Sequence, residues 1–148
     1  LWANLMAGGA GVEWYFGYTF SHNDLNCESW YSRDHMWDMT RYALEFFHDR
    51  LPFYQMTPHD ELTSAPDDYC LADPGRIYAI YLPLGGTTDL DLGAATGAFH
   101  IRWFNPRQGG PLVMGALATV TGPGKVNIGE APWDSDKDWA ALVKRIEP

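Results

Sequence analysis

Arg76-Ile-Tyr-Ala-Ile-Tyr-Leu-Pro83 decides how the rest of the chain reads. Both of its alternating sets, Ile77/Ala79/Tyr81 and Tyr78/Ile80/Leu82, are apolar or aromatic, which suits a central strand covered on both faces. Thr87-Thr-Asp-Leu-Asp-Leu92 and Ala98-Phe-His-Ile-Arg-Trp-Phe104 follow it. In these one set is apolar (Leu90, Leu92; Phe99, Ile101, Trp103), while the other carries Asp89, Asp91, His100 and Arg102. That is the period-2 pattern of strands with one wet face, and it predicts them as the neighbours of the central strand. Glycines in Leu84-Gly-Gly-Thr87 and Gly93-Ala-Ala-Thr-Gly97 suit the tight reversals between them.

Working outward, the period is again about 2 along Tyr69–Ala72, Pro111–Thr121, Lys125–Ile128 and Trp139–Ile146, with turn-rich pieces between them. About eight short strands in a hundred residues is the profile of an antiparallel β-sandwich. Before Leu51 the pattern is different. Met36, Met39, Ala43, Phe46 and Phe47 recur at helical spacing over about Arg33 to His48, widened by Trp37 and Leu44 and capped by Ser32. Ahead of that helix, glycines at Gly8–Gly11 lead into a short aromatic strand, Val12–Phe16. The change of period predicts two units, 1–51 (strand, loop, helix) and 52–148 (sandwich). The first cannot bury its apolar faces alone.

Composition narrows the partners. The 148 residues are 46% hydrophobic, enough for a packed core. A formal net charge of −9 argues against nucleic acid or an anionic membrane as partner, because both need clustered cations. No window holds the roughly 18 uninterrupted apolar residues of a membrane span. Cys27 and Cys70, the only cysteines, permit one bridge or two free thiols and no zinc site.

Leu44-Glu-Phe-Phe47, Leu51-Pro-Phe-Tyr-Gln-Met-Thr-Pro58, Asp68-Tyr-Cys-Leu-Ala72, Ile77–Pro83 and Arg102-Trp-Phe-Asn-Pro-Arg-Gln-Gly-Gly110 together resemble the putative collagen-binding domain of a collagenase. The resemblance covers about Leu44 to the C-terminus. It implies an accessory β domain that usually follows a glycoside-hydrolase-like (β/α)8 barrel in secreted bacterial proteins, so the parent would be secreted or periplasmic. Gly8–Gly17 and Asp24–Trp30 look like the end of such a barrel, and the rest of that barrel would be the principal partner.

Glycoside hydrolysis needs two carboxyl groups about 5–10 Å apart. The resemblance places that pair on barrel strands absent here, which leaves Glu13, Asp24 and Glu28 as candidates near the last strand, whose C-terminal end faces a barrel's active site. Trp14, Tyr15 and Trp30 could stack on a sugar there, or serve as core. Trp133, in a loop, is the candidate for an exposed aromatic contact with polysaccharide or collagen, whereas alternation puts Trp103 in the core. Asp134-Ser-Asp-Lys-Asp138 has the D-x-D-x-D start of a calcium loop without its glycine or distal glutamate, so Asp134, Asp136 and Asp138 either converge on a cation or form a plain turn. No cofactor is implied.

Overall fold

The computed structural model describes residues 1–14 and 30–147, apart from the side chains of Trp30 and Ser32. Among the described residues eight strands form two antiparallel sheets. β1 (Thr57–Pro58), β2 (Tyr69–Asp73), β3 (Ile77–Leu82), β8 (Trp139–Arg145), β5 (Gly97–Phe104) and β6 (Thr119–Gly122) lie in that spatial order. β4 (Asp89–Asp91) and β7 (Lys125–Asn127) pair separately. The fold is mainly β and sandwich-like. Helices α1 (Trp2–Met6) and α2 (Asp34–Arg50) cover part of the outer face of the large sheet.

The alternation of the strands builds two cores on opposite faces of the large sheet. Between the sheets lie Tyr78, Ile80 and Leu82 of β3, Phe99, Ile101 and Trp103 of β5, Trp139, Ala141 and Val143 of β8, and Leu90 of β4. On the outer face Ile77, Ala79, Ala140, Leu142 and Phe104 pack with Trp2, Met6, Ala43, Phe46 and Phe47 of the helices. Trp2 is the hub of this outer core. Its ring lies 5.2 Å from Phe46, 5.7 Å from Tyr81 and 5.8 Å from Phe104.

β3 is central and covered on both sides, as its sequence predicts. Its neighbours are not those the wet-faced runs suggest: β8 lies between β3 and β5, with Ile80 opposite Ala141 and Trp103 opposite Ala141 on the other side. β4 belongs to the small sheet. The reason is burial. Trp139 through Val143 are buried on both alternating sets, so the last strand of the chain takes an interior place, and the strand with acidic residues on one face goes to the small sheet.

Other boundaries differ as well. Of the predicted run Pro111–Thr121 only the last three residues, from Thr119, are strand; Val113 makes one isolated bridge to Trp103. Here the chain crosses too close for a ladder, since a Cβ on Gly115 would lie 2.3 Å from the Glu130 carbonyl and 2.4 Å from Trp103 Nε1. Helix α2 starts at Asp34 because a 3-10 turn, Trp30–Arg33, takes up the position of the predicted Ser32 cap, and Arg33 stands at its N-cap. Trp37 and Leu44, expected to widen the buried stripe, are 39% and 52% exposed. Val12, Glu13 and Trp14 are in no strand and are exposed, while Tyr15 and Phe16 lie outside the described residues.

Two polar groups inside the sandwich are telling. Cys70 is a free, fully buried thiol that burial pushes up to about 12; Cys27 lies outside the described residues. Asp68 is buried, with Oδ2 lacking any hydrogen-bond partner, and desolvation raises its carboxyl above the ordinary range despite help from Thr88. A carboxyl raised on folding contributes stability that is fully present below its unfolded pKa and is lost as pH rises through the folded value. Asp68→Asn should therefore match the parent's thermal midpoint in acid and exceed it at neutral pH, the gap opening as pH rises. A constant gap across that range would mean that folding does not shift the Asp68 carboxyl.

Candidate functional site

The most elaborated corner of the molecule is where α2 meets the end of β5. After Phe104 the chain turns through Asn105-Pro-Arg-Gln-Gly-Gly110. Asn105 is buried, and its Oδ1 accepts from the backbone N–H of Arg107 at 2.9 Å and of Gln108 at 3.2 Å. The Gly109 N–H donates to the Asn105 carbonyl at 2.9 Å. This ties the turn to itself and fixes the direction of the next two side chains. Gly109 has φ +66°, and a Cβ there would stand 2.3 Å from Cδ1 of Tyr42, so the bare glycine makes room for a ring of α2.

Arg107 points the other way, to the start of β8. Its Nη1 donates to Asp138 Oδ1 at 2.7 Å and also to the Asp138 carbonyl. The Tyr81 hydroxyl donates to Asp138 Oδ2 at 3.1 Å. Burial, and next the Asp138 carboxylate, push the Tyr81 phenol up. The guanidinium also lies over the Trp139 ring at 5.6 Å. One short turn thus contacts the helix through Gly109 and the last strand through Arg107, and Tyr81 continues the link to Trp2. The chemistry of this arrangement is that of a clamp. Its arginine and carboxylate pair through Nη1 at about a fifth to a quarter exposure, while Arg107 Nη2 is buried without a hydrogen-bond partner, 3.9 Å from Asp134 Oδ2.

Of the residues singled out from sequence, Trp133 is 46% exposed and stands edge-on to buried Trp139, ring centroids 5.2 Å apart. Trp103 is fully buried and meets Trp139 edge-on at 6.4 Å. The structure therefore brings Trp133 to the same corner as Arg107 and Asp138. It does not bring the three aspartates together: Asp138 is taken by Arg107 and Tyr81, Asp136 pairs with Lys137 at 3.2 Å, and the Asp134 carbonyl caps the turn by accepting from Lys137 N and Trp139 Nε1. Among the described residues no three His, Cys, Asp or Glu side chains are grouped to hold a metal ion. Glu13 and Trp14 lie on the exposed irregular segment after α1, while Tyr15, Asp24 and Glu28 lie outside the described residues, as does the side chain of Trp30.

Sequence reading missed α1 and the Arg107–Asp138–Tyr81 link. The Asn-Pro-Arg turn was a visible signal, but no spacing rule joins Arg107 to a carboxylate 31 positions later.

The fold is thus a β-sandwich with two helices docked on one sheet, and its polar cluster ties the turn after β5 to β8 and β3. The chain belongs to the family described as "Putative collagen-binding domain of a collagenase", whose model matches residues 59–144. Among solved structures it is similar to a glycoside hydrolase, with a TM-score of 0.60 at 15% identity over 78% of this chain. It is likewise similar to a glycoside hydrolase family 5 protein from Bacteroides vulgatus, with a TM-score of 0.59 at 14% identity over 87% of this chain. It spans 27% and 29% of those two chains. A search of the curated proteins found no match. Among the described residues no helix is long and apolar enough to cross a membrane.

Proposed function

We propose that this chain is the C-terminal part of a secreted or periplasmic glycoside-hydrolase-like protein. In this reading residues 1–51 finish a (β/α)8 barrel, and 52–148 form a non-catalytic sandwich that packs on the barrel's last helix and stabilises it. The observation that carries this is the width of the apolar surface of α2. Its centre buries Ala43, Phe46 and Phe47 on the sheet. On its flank Trp37 and Leu44 are exposed, and Leu44 joins Phe47, His48 and Phe53 around an apolar hollow of about 310 Å³ that Leu5, Gly8–Ala10 and Leu71 of β2 also line. A helix whose apolar surface is wider than the sheet covers has room for a further layer.

A second reading, a stand-alone module for carbohydrate or collagen, draws on the half-exposed Trp133 ring. The two part in a pull-down: on insoluble neutral polysaccharides and on collagen the chain should pass unretained if packing is its role, and be retained, with loss in Trp133→Ala, if it is a module. The genomic sequence upstream of Leu1 tests the parentage, which requires preceding βα units; a short unrelated leader would end it. A third reading, an independent glycosidase, would show turnover of aryl glycosides that vanishes in Glu13→Gln.

A further inference from the structure

The net charge of −9 conceals an uneven surface. Five of the ten Lys and Arg residues (Arg50, Arg76, Arg102, Lys144 and Arg145) line two hollows on the end of the large sheet that the helices leave open, and both hollows are bordered by Lys144, Arg145 and Glu147. The larger, about 510 Å³, is floored by Leu112, Leu142 and Ile146 and rimmed by His100, Arg102 and Lys144. In the register of the sheet His100 stands directly opposite Lys144, and Arg102 opposite Leu142. A histidine facing a lysine forms no ion pair and no apolar pair across the strands, so this pair does little to strengthen the sheet. Among the described residues no carboxylate pairs with Lys144, His100 or Arg102, whose Nη1 reaches the Ile101 and Ala118 carbonyls; Arg76 is paired with Asp73 at 3.1 Å, and Arg145 donates to the Gly75 and Thr96 carbonyls. Glu147 is the acidic residue lining the larger hollow, and Asp73 and Glu147 line the smaller.

We propose that this face binds a linear polysaccharide that carries carboxylate groups, at a site separate from Trp133 and independent of how α2 is covered. The cations are set out along β5, β8 and the end of α2 instead of converging on one point, which fits an anion that repeats along a chain. The aliphatic floor fits the C–H faces of sugar rings. It offers no Phe, Tyr or Trp on which nucleic acid bases could stack.

The test is titration of the 148-residue chain with polygalacturonate, neutral galactan and a single-stranded oligonucleotide at about 0.05 M salt and again at about 0.5 M, where surface charges are screened within a few ångström. Binding is expected for polygalacturonate alone, weakened about tenfold or more at the higher salt. The double substitution Arg102→Ala/Lys144→Ala should lower affinity at least about tenfold, Lys144→Glu should abolish binding, and Glu147→Gln should raise affinity. Trp133→Ala and Lys125→Ala, which lie elsewhere, should change nothing. Thermal midpoints accompany every variant, and because Lys144 is exposed, Lys144→Glu remains a fair test if the double variant proves unstable. Equal affinity for galactan or for the oligonucleotide, or undiminished binding in folded Lys144→Glu, overturns the proposal.

Discussion

Phe46→Ala is expected to destabilise the chain by about 3–5 kcal/mol, the cost typical of deleting a fully buried aromatic ring. Phe46 has no exposed surface and touches Trp2 and Phe104 with ring centroids 5.2 Å away in each case. Its removal opens the outer core between helix and sheet, where neither α1, with five residues, nor the two ends of α2 can close the gap. Leu44→Ala, two positions earlier on the exposed side of the same helix, should cost no more than about 0.5 kcal/mol. Urea unfolding of the two variants measures the difference directly. Equal costs would mean that α2 does not dock through the Phe46 side, and the clamp would lose its purpose.

The second large effect is expected at the turn. In Gly109→Ala a left-handed backbone must carry a Cβ, at about 1–2 kcal/mol, and that Cβ would meet the Tyr42 ring at 2.3 Å. Overpacking of this kind adds roughly 1–3 kcal/mol, so a total near 2–5 kcal/mol is expected. The two contributions separate in a double-mutant cycle. Tyr42→Ala removes the ring, so the double variant should be more stable than the sum of the singles predicts by about 1 kcal/mol or more. Strict additivity would show that the turn and the helix do not touch at this point, leaving Arg107 as the turn's only long-range anchor.

These two expectations rest on different kinds of knowledge. The apolar spacing of Ala43, Phe46 and Phe47 is legible in the sequence because helical periodicity is a local property, and a greasy stripe must be buried on something. The same spacing could not distinguish the stripe from its apolar margins. Met36 and Met39 read as core and are only partly buried, while Leu44 and Trp37 read as its edge and are exposed. Nothing local says where a neighbouring layer ends. The Asn-Pro-Arg-Gln-Gly-Gly turn is legible as a turn and as a mark of resemblance. Its partners are not, because Tyr42 and Asp138 are brought to it from 67 positions before Gly109 and 31 after Arg107.

Alternation along Ile77–Leu82 and Phe99–Trp103 by itself determined that this chain is mainly β, that β3 is buried on both sides and that Trp103 is core, since side-chain direction in a strand follows from backbone geometry one residue at a time. Which strands adjoin was decided only by tertiary structure. The Trp139–Val143 run, apolar on both faces, loses most by staying at an edge, and only in the folded sheet is there an interior place between β3 and β5 for it to fill. The same placement sets Lys144 opposite His100, so the basic face, invisible in a net charge of −9, is a product of strand order.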